Sequence, residues 1–504
     1  MIELNEQERF RRDSLQELIR LGIEPYPAAL FEITTNTAEI KSQFADHPEK
    51  FSEISIAGRL MGKRIMGSAS FAEFQDAHGR LQFYLKRDEI CPTEDKTLYN
   101  TVFKKLLDIG DYIGIKGFGF ITQTGELSIH VSKLTLLSKS LKPLPVVKTD
   151  ADGKIYDAVT DPEFRYRQRY ADLVVNPEVK EVFIKRSRMV TSMRNTLNEE
   201  GYLEVETPIL QTIPGGAIAR PFITHHNALD MPLYLRVANE LYLKRLIVGG
   251  FDGVYEFAKD FRNEGMDRTH NPEFTILEFY VAYKDYFWMM DFTEKMLCKI
   301  ALDLYKTETI TYAGIEIDLG SPFKRIGIYD AIKEHTGLDL EGKDEAALRK
   351  ACAELNIQVN PTMGKGKLVD AIFSTCCERH YIQPTFIIDY PVEMSPLTKK
   401  HRSKPGLVER FELMINGKEI ANAYSELNDP LEQRQRFEEQ LALTERGDDE
   451  AMFIDQDFLR ALEYGMPPTS GIGIGIDRLA MLMTNQHSIQ DVLFFPQMRA
   501  EVNL

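Results

Sequence analysis

The sequence contains no long hydrophobic run. Nowhere in its 504 residues do 18 apolar residues follow one another, so we expect no transmembrane helix. The first ten residues, MIELNEQERF, carry four charged side chains and do not have the pattern of a signal peptide. We therefore predict a cytoplasmic protein that makes no membrane contact.

Cysteine is scarce and has no pairing pattern. The five cysteines are an odd number and include no CxxC spacing, which argues against a disulfide framework and indicates no zinc site. A reducing compartment fits this usage. The adjacent Cys376 and Cys377 fall in a stretch with helical character, where we expect buried thiols.

Positive charge is in deficit, but unevenly along the chain. The formal net charge is -16, yet residues 55–150 hold 14 Lys and Arg against 10 Asp and Glu, which leaves about -20 for the remainder. A mildly basic module on an acidic body permits nucleic-acid contact at that module. The length predicts two or more domains.

Residues 54–138 predict a small β-barrel. Short segments rich in Ile, Phe, Tyr and Val are interrupted by glycines, and residues 93–110 between them have helical character. Strands, one helix and further strands within about 90 residues follow the order of an OB-fold. Such barrels bind single-stranded nucleic acid through aromatic side chains.

The complete chain is predicted to be α+β, with the barrel followed by a larger domain built on an antiparallel sheet flanked by helices. The expected divisions are an N-terminal helical segment over 1–53, an OB-fold over 54–140, a linker over 141–175, and a C-terminal domain over 176–504 with a helical insertion at about 325–380. In the linker, Arg165, Arg167 and Arg169 either contact nucleic acid or pair with acidic residues of the protein, and both alternatives stay open.

Residues 255–280, YEFAKDFRNEGMDRTHNPEFTILEFY, predict two strands joined by a polar loop. Because side chains alternate along a strand, Arg262 and Glu264 share one face of the first strand, and Glu278 and Tyr280 share one face of the second. A charged sheet surface is unfavourable unless it meets polar ligands. The alternative is a solvated antiparallel hairpin.

Residues 410–429 predict a second hairpin, because an Asn-Gly pair separates two strand-like segments. This register puts Glu412 and Glu419 on one face. Neighbouring carboxylates repel unless a cation lies between them, and Mg²⁺ with nucleotide phosphates suits the site. A solvated edge is the alternative. Asn422 would lie on the opposite face unless a bulge interrupts the strand near Ala421.

Residues 469–483, TSGIGIGIDRLAMLM, predict a strand with one bare face. The isoleucines bury one side, and the alternating glycines let a ligand lie against backbone on the other. Arg478 follows with a planar cation suited to phosphate. A dinucleotide-binding loop is disfavoured because GxGxGxDR lacks the GxGxxG spacing.

These segments resemble the three signature motifs of the class II aminoacyl-tRNA synthetases. FRNE and HNPEFT resemble motif 2, and the HNPEFT wording is similar to the lysyl-tRNA synthetases of subclass IIb, bacterial type. A helix that begins at Asn176-Pro177, with Asn as its N-cap, and then the strand YLEVETPIL resemble motif 1, which in the family forms the homodimer interface. TSGIGIGIDR resembles motif 3. The resemblance runs over roughly residues 5–500.

The resemblance implies roles for individual side chains. Arg262 would hold both the ATP α-phosphate and the lysine carboxylate, while Phe274 and Arg478 would enclose adenine. The implied catalytic residues are Arg262, Glu264 and Arg478; the ATP contacts are Arg262, Glu264, His270, Asn271, Phe274, Glu412 and Arg478; the lysine contacts are Gly216, Glu240, Arg262, Glu278, Tyr280, Asn422 and Glu426; and the Mg²⁺ ligands are Glu412 and Glu419.

The barrel segment RIMGSASFAEFQDAHGRLQFYL resembles the anticodon-binding domain of the same subclass. In that family an aromatic ring stacks on the central uridine and an amide reads its edge, which implies these roles for Phe71 and Gln82. Arg64 and Glu126 are the further implied anticodon contacts. The alternative for Phe71 is the barrel core.

The implied reaction is lysine–tRNA ligation: ATP and L-lysine form lysyl-adenylate and pyrophosphate, and lysine then passes to the terminal adenosine of tRNA(Lys). Two alternatives remain. A paralogue that modifies elongation factor P lacks the barrel, so residues 54–138 argue against it. A non-catalytic nucleic-acid-binding protein would have lost one of Arg262, Glu412, Glu419 and Arg478, and all four are present.

Overall fold

The chain divides into two compact units, Met1–Thr160 and Asp161–Leu504. The computed structural model describes residues 4–145, 148–149, 155–156, 159–217, 219–320, 322–444 and 454–500. Within these ranges no helix has the length and apolar character needed to span a membrane.

The N-terminal unit is built around a closed five-stranded barrel with the strand order β1-β2-β3-β5-β4. Its strands are β1 (Ile54–Met66), β2 (Ala69–Gln75), β3 (Arg80–Lys86), β4 (Tyr112–Ile121) and β5 (Leu127–Ser138), with the short pair β6 (Lys148–Thr149) and β7 (Ile155–Tyr156) beyond them. Its helices are α1 (Glu6–Arg20), α2 (Thr37–Gln43), α3 (Arg87–Ile90) and a π-helix at Leu98–Leu106. The predicted OB-fold is confirmed, and the helix expected over 93–110 is present but shorter.

Local sequence explains both the start of the first helix and a close contact between two barrel strands. Asn5 and Glu8 form a reciprocal capping box at the start of α1, which satisfies two free N–H groups. β4 lies against β5 at Gly117, where an added Cβ would be 1.9 Å from the carbonyl oxygen of His130. Glycine is therefore required at this position.

The C-terminal unit contains an eight-stranded sheet with the order β16-β17-β18-β19-β20-β13-β12-β8. In chain order the strands of this unit are β8 (Leu203–Glu204), β9 (Leu210–Gln211), β10 (Ile223–His226), β11 (Met231–Leu235), β12 (Gly253–Phe261), β13 (Glu273–Ala282), β14 (Thr309–Tyr312), β15 (Ile315–Asp318), β16 (Lys324–Gly327), β17 (Thr385–Ile388), β18 (Arg410–Ile415), β19 (Lys418–Ser425) and β20 (Thr469–Gly475). The six central strands pair antiparallel as predicted, whereas β16 and β8 pair parallel to their neighbours. The predicted α+β class is confirmed.

Helices pack against both faces of this sheet. They are α4 (Pro162–Arg167), α5 (Arg169–Val175), α6 (Pro177–Glu199), α7 (Glu240–Val248), α8 (Tyr286–Tyr305), α9 (Ile328–Thr336), α10 (Glu345–Glu354), α11 (Lys365–Cys376), α12 (Pro430–Thr444), α13 (Gln456–Glu463), α14 (Ile476–Met483) and α15 (Ile489–Val492). Buried Met193 of α6 and Met296 of α8 belong to the same hydrophobic core as Phe279 and Ile472 of the sheet. Core side chains fill this face of the sheet. On the opposite face α7 and α13 pack at Val254 and Tyr280, and the rest of that face borders a cavity.

Two local predictions need correction, and one hairpin was not predicted. Asn176 makes no side-chain cap on α6; its amide donates to Asp172 instead, at 2.7 Å. The hairpin is that of β14 and β15, which turns through Ala313-Gly314, both with positive φ. Of the adjacent cysteines, Cys377 is buried but Cys376 is only half-buried.

The three linker arginines pair with acidic side chains. Arg169, fully buried, donates from Nη1 to Asp172 at 2.5 Å, and Arg165 donates from Nε to the same carboxylate at 3.0 Å. Arg167 donates to Glu163 at 2.9 Å. These contacts favour the pairing alternative over contact with nucleic acid.

Candidate active site and nucleic-acid face

A cavity of about 490 Å³ opens on the sheet face opposite the helical core. The elements that build it are the β12–β13 hairpin and its loop, the β18–β19 hairpin, β20 and the start of α7. The predicted site residues that line it are Gly216, Glu240, Arg262, Glu264, His270, Asn271, Phe274, Glu278, Tyr280, Glu412, Glu419, Asn422 and Arg478. Site residues predicted from residues 255–280, 410–429 and 469–483 therefore share one cavity.

The β12–β13 hairpin supplies the floor of the cavity. Its strands pair antiparallel, with Glu256 opposite Glu278. Phe274, Glu278 and Tyr280 face the cavity, while Phe279 lies in the helical core. The alternation predicted for β13 is confirmed, and the solvated-hairpin alternative is wrong because Glu278 and Tyr280 are buried. Arg262 and Glu264, which were predicted on the first strand, lie beyond β12, which ends at Phe261, although both line the cavity.

Arg262 lies at one end of the cavity. Its guanidinium is centred 5.0 Å from the Phe274 ring, a cation–π contact. Its Nε is buried and makes no hydrogen bond to the described residues. Because a buried guanidinium N–H without a partner is costly, this atom fits an anionic ligand in the cavity.

A second cation, Arg478, lies beside the motif 2 loop. It donates from Nη1 to the backbone oxygen of Glu419 at 3.0 Å, and its Nη2 is 3.2 Å from Nε2 of His270. The His270 ring also contacts the Asp267 carboxylate at 2.9 Å. Asn271 donates to the backbone oxygen of Glu273 at 2.5 Å. The loop therefore presents polar groups at the same end as Arg262.

A β-bulge brings the second hairpin into register with the cavity. Leu413 pairs with Ala421 and Met414 pairs with Glu419, so Ile420 is the extra residue. Asn422 consequently lies opposite Glu412. The side chains of Glu412, Glu419 and Asn422 all line the cavity. The bulge that the sequence required near Ala421 is present.

Glu412 is held by an arginine but remains electrostatically unfavourable. Arg410 donates to its carboxylate at 2.6 Å and to Asn422 at 3.1 Å. Burial, followed by repulsion from Glu419, raises the pKa of Glu412 to about 7. A buried carboxylate with a raised pKa beside a second carboxylate is the electrostatic setting that a divalent cation relieves.

The other end of the cavity is acidic. Glu240 and Glu278 are both buried, and the Tyr280 hydroxyl donates to Glu278 at 3.1 Å. Burial, with repulsion from Asp260 and Glu240, raises the pKa of Glu278 well above its ordinary range. Gly216, with φ of 92°, lies against Glu240, and an added Cβ would be 3.4 Å from the Glu240 Cβ.

Glu426 is the one predicted lysine contact that does not line the cavity. It is buried behind Tyr280 and forms an ion pair with Lys244, a fully buried lysine of α7. Lys244 also donates to Glu240 at 2.5 Å. Burial raises the pKa of Glu426 to about 8, although the Lys244 charge opposes the rise.

Gly471 brings the acidic end and β20 into close approach. A Cβ there would lie 2.2 Å from the Tyr280 ring and 2.3 Å from Oε1 of Glu426. The bare face predicted for the glycine-rich strand is thus covered by protein at Gly471. At Gly475 the nearest atom would be 3.8 Å away, so the open part of the face lies there.

Sequence reasoning missed Lys244, Arg410 and Tyr424. Tyr424 lines the cavity, and its hydroxyl donates to Glu240 at 2.9 Å. Arg410 and Tyr424 each lie two residues from a predicted site residue on the same strand, which was a usable signal. Lys244 follows Glu240 by four residues, a spacing that ordinarily indicates a surface ion pair.

A second cavity, of about 850 Å³, lies on the barrel of the N-terminal unit. The four predicted anticodon contacts, Arg64, Phe71, Gln82 and Glu126, all line it. Phe71 is only half-buried, and the barrel core is formed by Phe74 and Phe83 instead. The barrel-core alternative for Phe71 is therefore wrong.

A hydrogen bond fixes the amide of Gln82. The Ser128 hydroxyl donates to its Oε1 at 3.0 Å, so the amide oxygen is occupied and the NH₂ group is directed elsewhere. A side-chain amide nitrogen donates to acceptors such as the carbonyl oxygens of a pyrimidine.

Comparison with known families agrees with this geometry. Residues 161–499 match the family described as tRNA synthetases class II (D, K and N), and residues 54–137 match the OB-fold nucleic acid binding domain. The first match covers more than half of the chain, which belongs to the class II tRNA synthetases of the D, K and N group. The resemblance of the three motifs is thereby confirmed.

Full-length relatives narrow the assignment within that group. A lysine–tRNA ligase from Porphyromonas gingivalis is 64% identical over 502 residues, which cover 99% of this chain and 87% of the relative. Those from Christiangramia forsetii (63%, covering 99% and 87%) and Azobacteroides pseudotrichonymphae (60%, covering 99% of both chains) are similar. The family is that of the lysine–tRNA ligases.

Proposed function

We propose that this protein joins L-lysine to tRNA(Lys) in two steps, first forming lysyl-adenylate from lysine and ATP and then transferring lysine to the terminal adenosine of the tRNA. The observation that carries the proposal is the single cavity that has Arg262 and the polar loop at one end and buried carboxylates at the other. The identity of 60–64% to lysine–tRNA ligases supports it. Residues 176–504 would hold the catalytic domain and residues 54–140 the anticodon-binding domain, joined by the linker.

The activation step requires positioning more than proton transfer. The lysine carboxylate attacks the α-phosphorus of ATP in line and expels pyrophosphate. Arg262, whose buried Nε has no partner among the described residues, would bind both anions and bring them together. Phe274 and Arg478 would enclose the adenine ring, with Glu264, His270 and Asn271 as further nucleotide contacts.

The acidic end would select lysine. Glu240 with the Gly216 carbonyl would bind the α-ammonium group, and Glu278, Tyr280, Asn422 and Glu426 would bind the side chain. Because an uncharged substrate would leave these buried carboxylates unpaired, it should be rejected strongly. Aspartate would be repelled outright.

Mg²⁺ is the proposed cofactor, bound through Glu412 and Glu419. Within the described ranges no cluster of three or more His, Cys, Asp or Glu side chains could hold a metal, so phosphate oxygens of ATP would complete the ligand set. The pair fits the ion, because Glu412 has a raised pKa from burial and from Glu419. The metal would neutralise phosphate charge during activation.

We further propose a cytoplasmic homodimer. Exposed apolar side chains occur on β8, at the edge of the eight-stranded sheet, and on β9 and β10 of the three-stranded sheet; they are Leu203, Leu210 and Ile223. An unpaired strand edge with exposed apolar residues is a surface that another chain can cover. Sedimentation analysis should give twice the 57.8 kDa chain mass, and a monomer at micromolar concentration would contradict this proposal.

The test of function is pyrophosphate exchange into ATP with each of the twenty amino acids in the presence of Mg²⁺, repeated with Glu278→Gln. We expect exchange with lysine alone and a large loss in the variant. Exchange with aspartate or asparagine would retain the mechanism but contradict the role of the acidic end. No exchange with any amino acid would favour a non-catalytic RNA-binding protein.

A further inference from the structure

A line of aromatic rings crosses the barrel and extends beyond the anticodon cavity. The strand register pairs Phe71 with Tyr84, Tyr84 with His130 and His130 with Phe118, on β2, β3, β5 and β4 in turn. The successive ring centroids are 5.0, 5.1 and 4.8 Å apart. We call these four residues the aromatic row.

Half of the aromatic row lies outside the cavity. Phe71 and Tyr84 line the cavity, whereas His130 and Phe118 do not. Phe118 is 42% exposed and lies nearly parallel to the His130 ring, at 29°. His130 is held in place by contact of its Nε2 with the Glu89 carboxylate. The row therefore ends in an exposed ring that stacks on a side chain held in place.

Two lysines lie next to the exposed end. Lys116 precedes Phe118 by two residues on the same face of β4, and it pairs directly with Lys133 of β5. Both side chains are exposed, and neither forms an ion pair within the described ranges. Like charges directly opposite each other are destabilising in a sheet, and an anion bound between them would relieve the repulsion.

We infer that Phe118 stacks on one further unpaired nucleotide of the RNA, next to the anticodon, and that Lys116 and Lys133 bind its phosphate. Aromatic platforms beside cationic side chains are how OB-folds follow a single strand. The row is continuous with the cavity proposed for the anticodon, which identifies the occupant as the same RNA strand. The inference rests on that proposed role and extends it by one subsite.

The test is binding of a labelled anticodon stem–loop RNA with a UUU anticodon to the full chain. Phe118→Leu should weaken binding by about tenfold, which is within the range for loss of one stacked base, and Phe118→Trp should restore it. Tyr112→Leu is the matched control because Tyr112 is an exposed ring on the same strand at its other end. It should bind like the wild type.

A second arm identifies the nucleotide. Stem–loops with an abasic site on the 5′ or the 3′ side of the anticodon should abolish the effect of Phe118→Leu for one of the two. Replacing Lys116 and Lys133 by Gln should reduce the slope of log K against log salt by about 0.7 per lysine. Unchanged binding by Phe118→Leu, or an equal loss on all three RNAs, would overturn the inference.

Failure of the parent proposal would give a different result. If the wild-type chain does not bind the stem–loop at all, the anticodon role itself is wrong. Pyrophosphate exchange with lysine should stay at the wild-type level in every variant, because the substitutions lie in the N-terminal unit. It therefore reports on the activation step separately from RNA binding.

Discussion

Lys244 sets the charge balance of the acidic end of the cavity. Glu240, Glu278 and Glu426 would carry three negative charges when ionised, and the ammonium of Lys244, bonded to Glu240 and Glu426, removes one. The remaining charge of about -2 would balance the charge of about +2 on the two ammonium groups of lysine. Lys244 is also within about 6 Å of the Tyr280, Tyr424 and Phe458 ring centroids, which adds cation–π stabilisation.

We expect Lys244→Met to raise the KM for lysine by about 10-fold or more, equivalent to at least about 1.4 kcal/mol. The substitution keeps the side-chain length but leaves buried carboxylates uncompensated, which is costly. Pyrophosphate exchange measures the effect, and the KM for ATP should change little. Lys299→Met, at a surface ion pair with Glu199, is the control. An equal rise in both KM values would indicate a general loss of structure instead.

Lysine affinity should increase as pH rises from 6 to 8. Burial raises the pKa of Glu426 to about 8 and that of Glu278 well above its ordinary range. The ammonium groups of lysine bind the ionised carboxylates, so lysine must displace protons at neutral pH. Each displaced proton changes the affinity by at most about tenfold per pH unit. Titration calorimetry in buffers of different ionisation enthalpy measures the proton release.

Glu278 and Glu426 also determine how the free energy of unfolding changes with pH when no lysine is bound. Their folded pKa values exceed the unfolded value of about 4.3, so the folded protein holds protons that the unfolded chain has lost. The free energy of unfolding should therefore fall as pH rises from about 4.5 to about 8, and added lysine should oppose that fall. A lysine affinity that is flat from pH 6 to 8 would contradict this account, and Glu426→Gln should show a weaker pH dependence.

At the scale of elements, β20 contributes a different glycine to each end of the cavity: Gly471 lies at the acidic end and Gly475 lies near Arg478. We expect Gly471→Ala to raise the KM for lysine and to lower Tm, since its Cβ would overlap Tyr280 and Glu426 and overpacking costs about 1–3 kcal/mol. Gly475→Ala, with no atom nearer than 3.8 Å, should keep Tm and raise the KM for ATP. Thermal denaturation and exchange kinetics measure both, and the reverse pattern would show that the two glycines have been assigned to the wrong ends.

Much of this architecture could be predicted from local sequence. Strand alternation predicted the faces of β13 correctly, and the conflict between Glu412 and Asn422 correctly required the bulge found at Ile420. Both results depend on residues close together in the chain. The hairpin of β14 and β15 was missed although Ala313-Gly314 offered a turn signal.

Contacts between distant segments could not be predicted in the same way. The ion pair of Lys244 with Glu426 joins residues far apart in the chain, and each looks unremarkable within its own segment. The side chain of Tyr280, which lies against Gly471, belongs to a different motif. Such pairings need the three-dimensional register, which sequence alternation does not supply.

At the scale of the whole molecule, the two units should separate the two steps of the reaction. Phe71→Ala and Gln82→Ala should lower the rate of tRNA aminoacylation by at least about fivefold, the lower range for loss of one stacked base. They should leave pyrophosphate exchange unchanged, because the activation chemistry lies in the other unit. Arg478→Ala should lower both.

Both rates must be measured on the same preparations. A loss of exchange in the Phe71 or Gln82 variants would contradict the separation. Intact aminoacylation in both variants would contradict the assigned role of the barrel cavity.

The buried Lys244 makes the accuracy of this protein depend on its own product. A ribosome places lysine at position 244 only if the tRNA for that codon was charged with lysine, which is the reaction proposed here. A mischarged tRNA would yield copies without the internal ammonium, and those copies would discriminate less well and mischarge more. The selectivity of newly made enzyme thus depends on the selectivity of the enzyme already present, and errors at this single codon increase the rate of further errors.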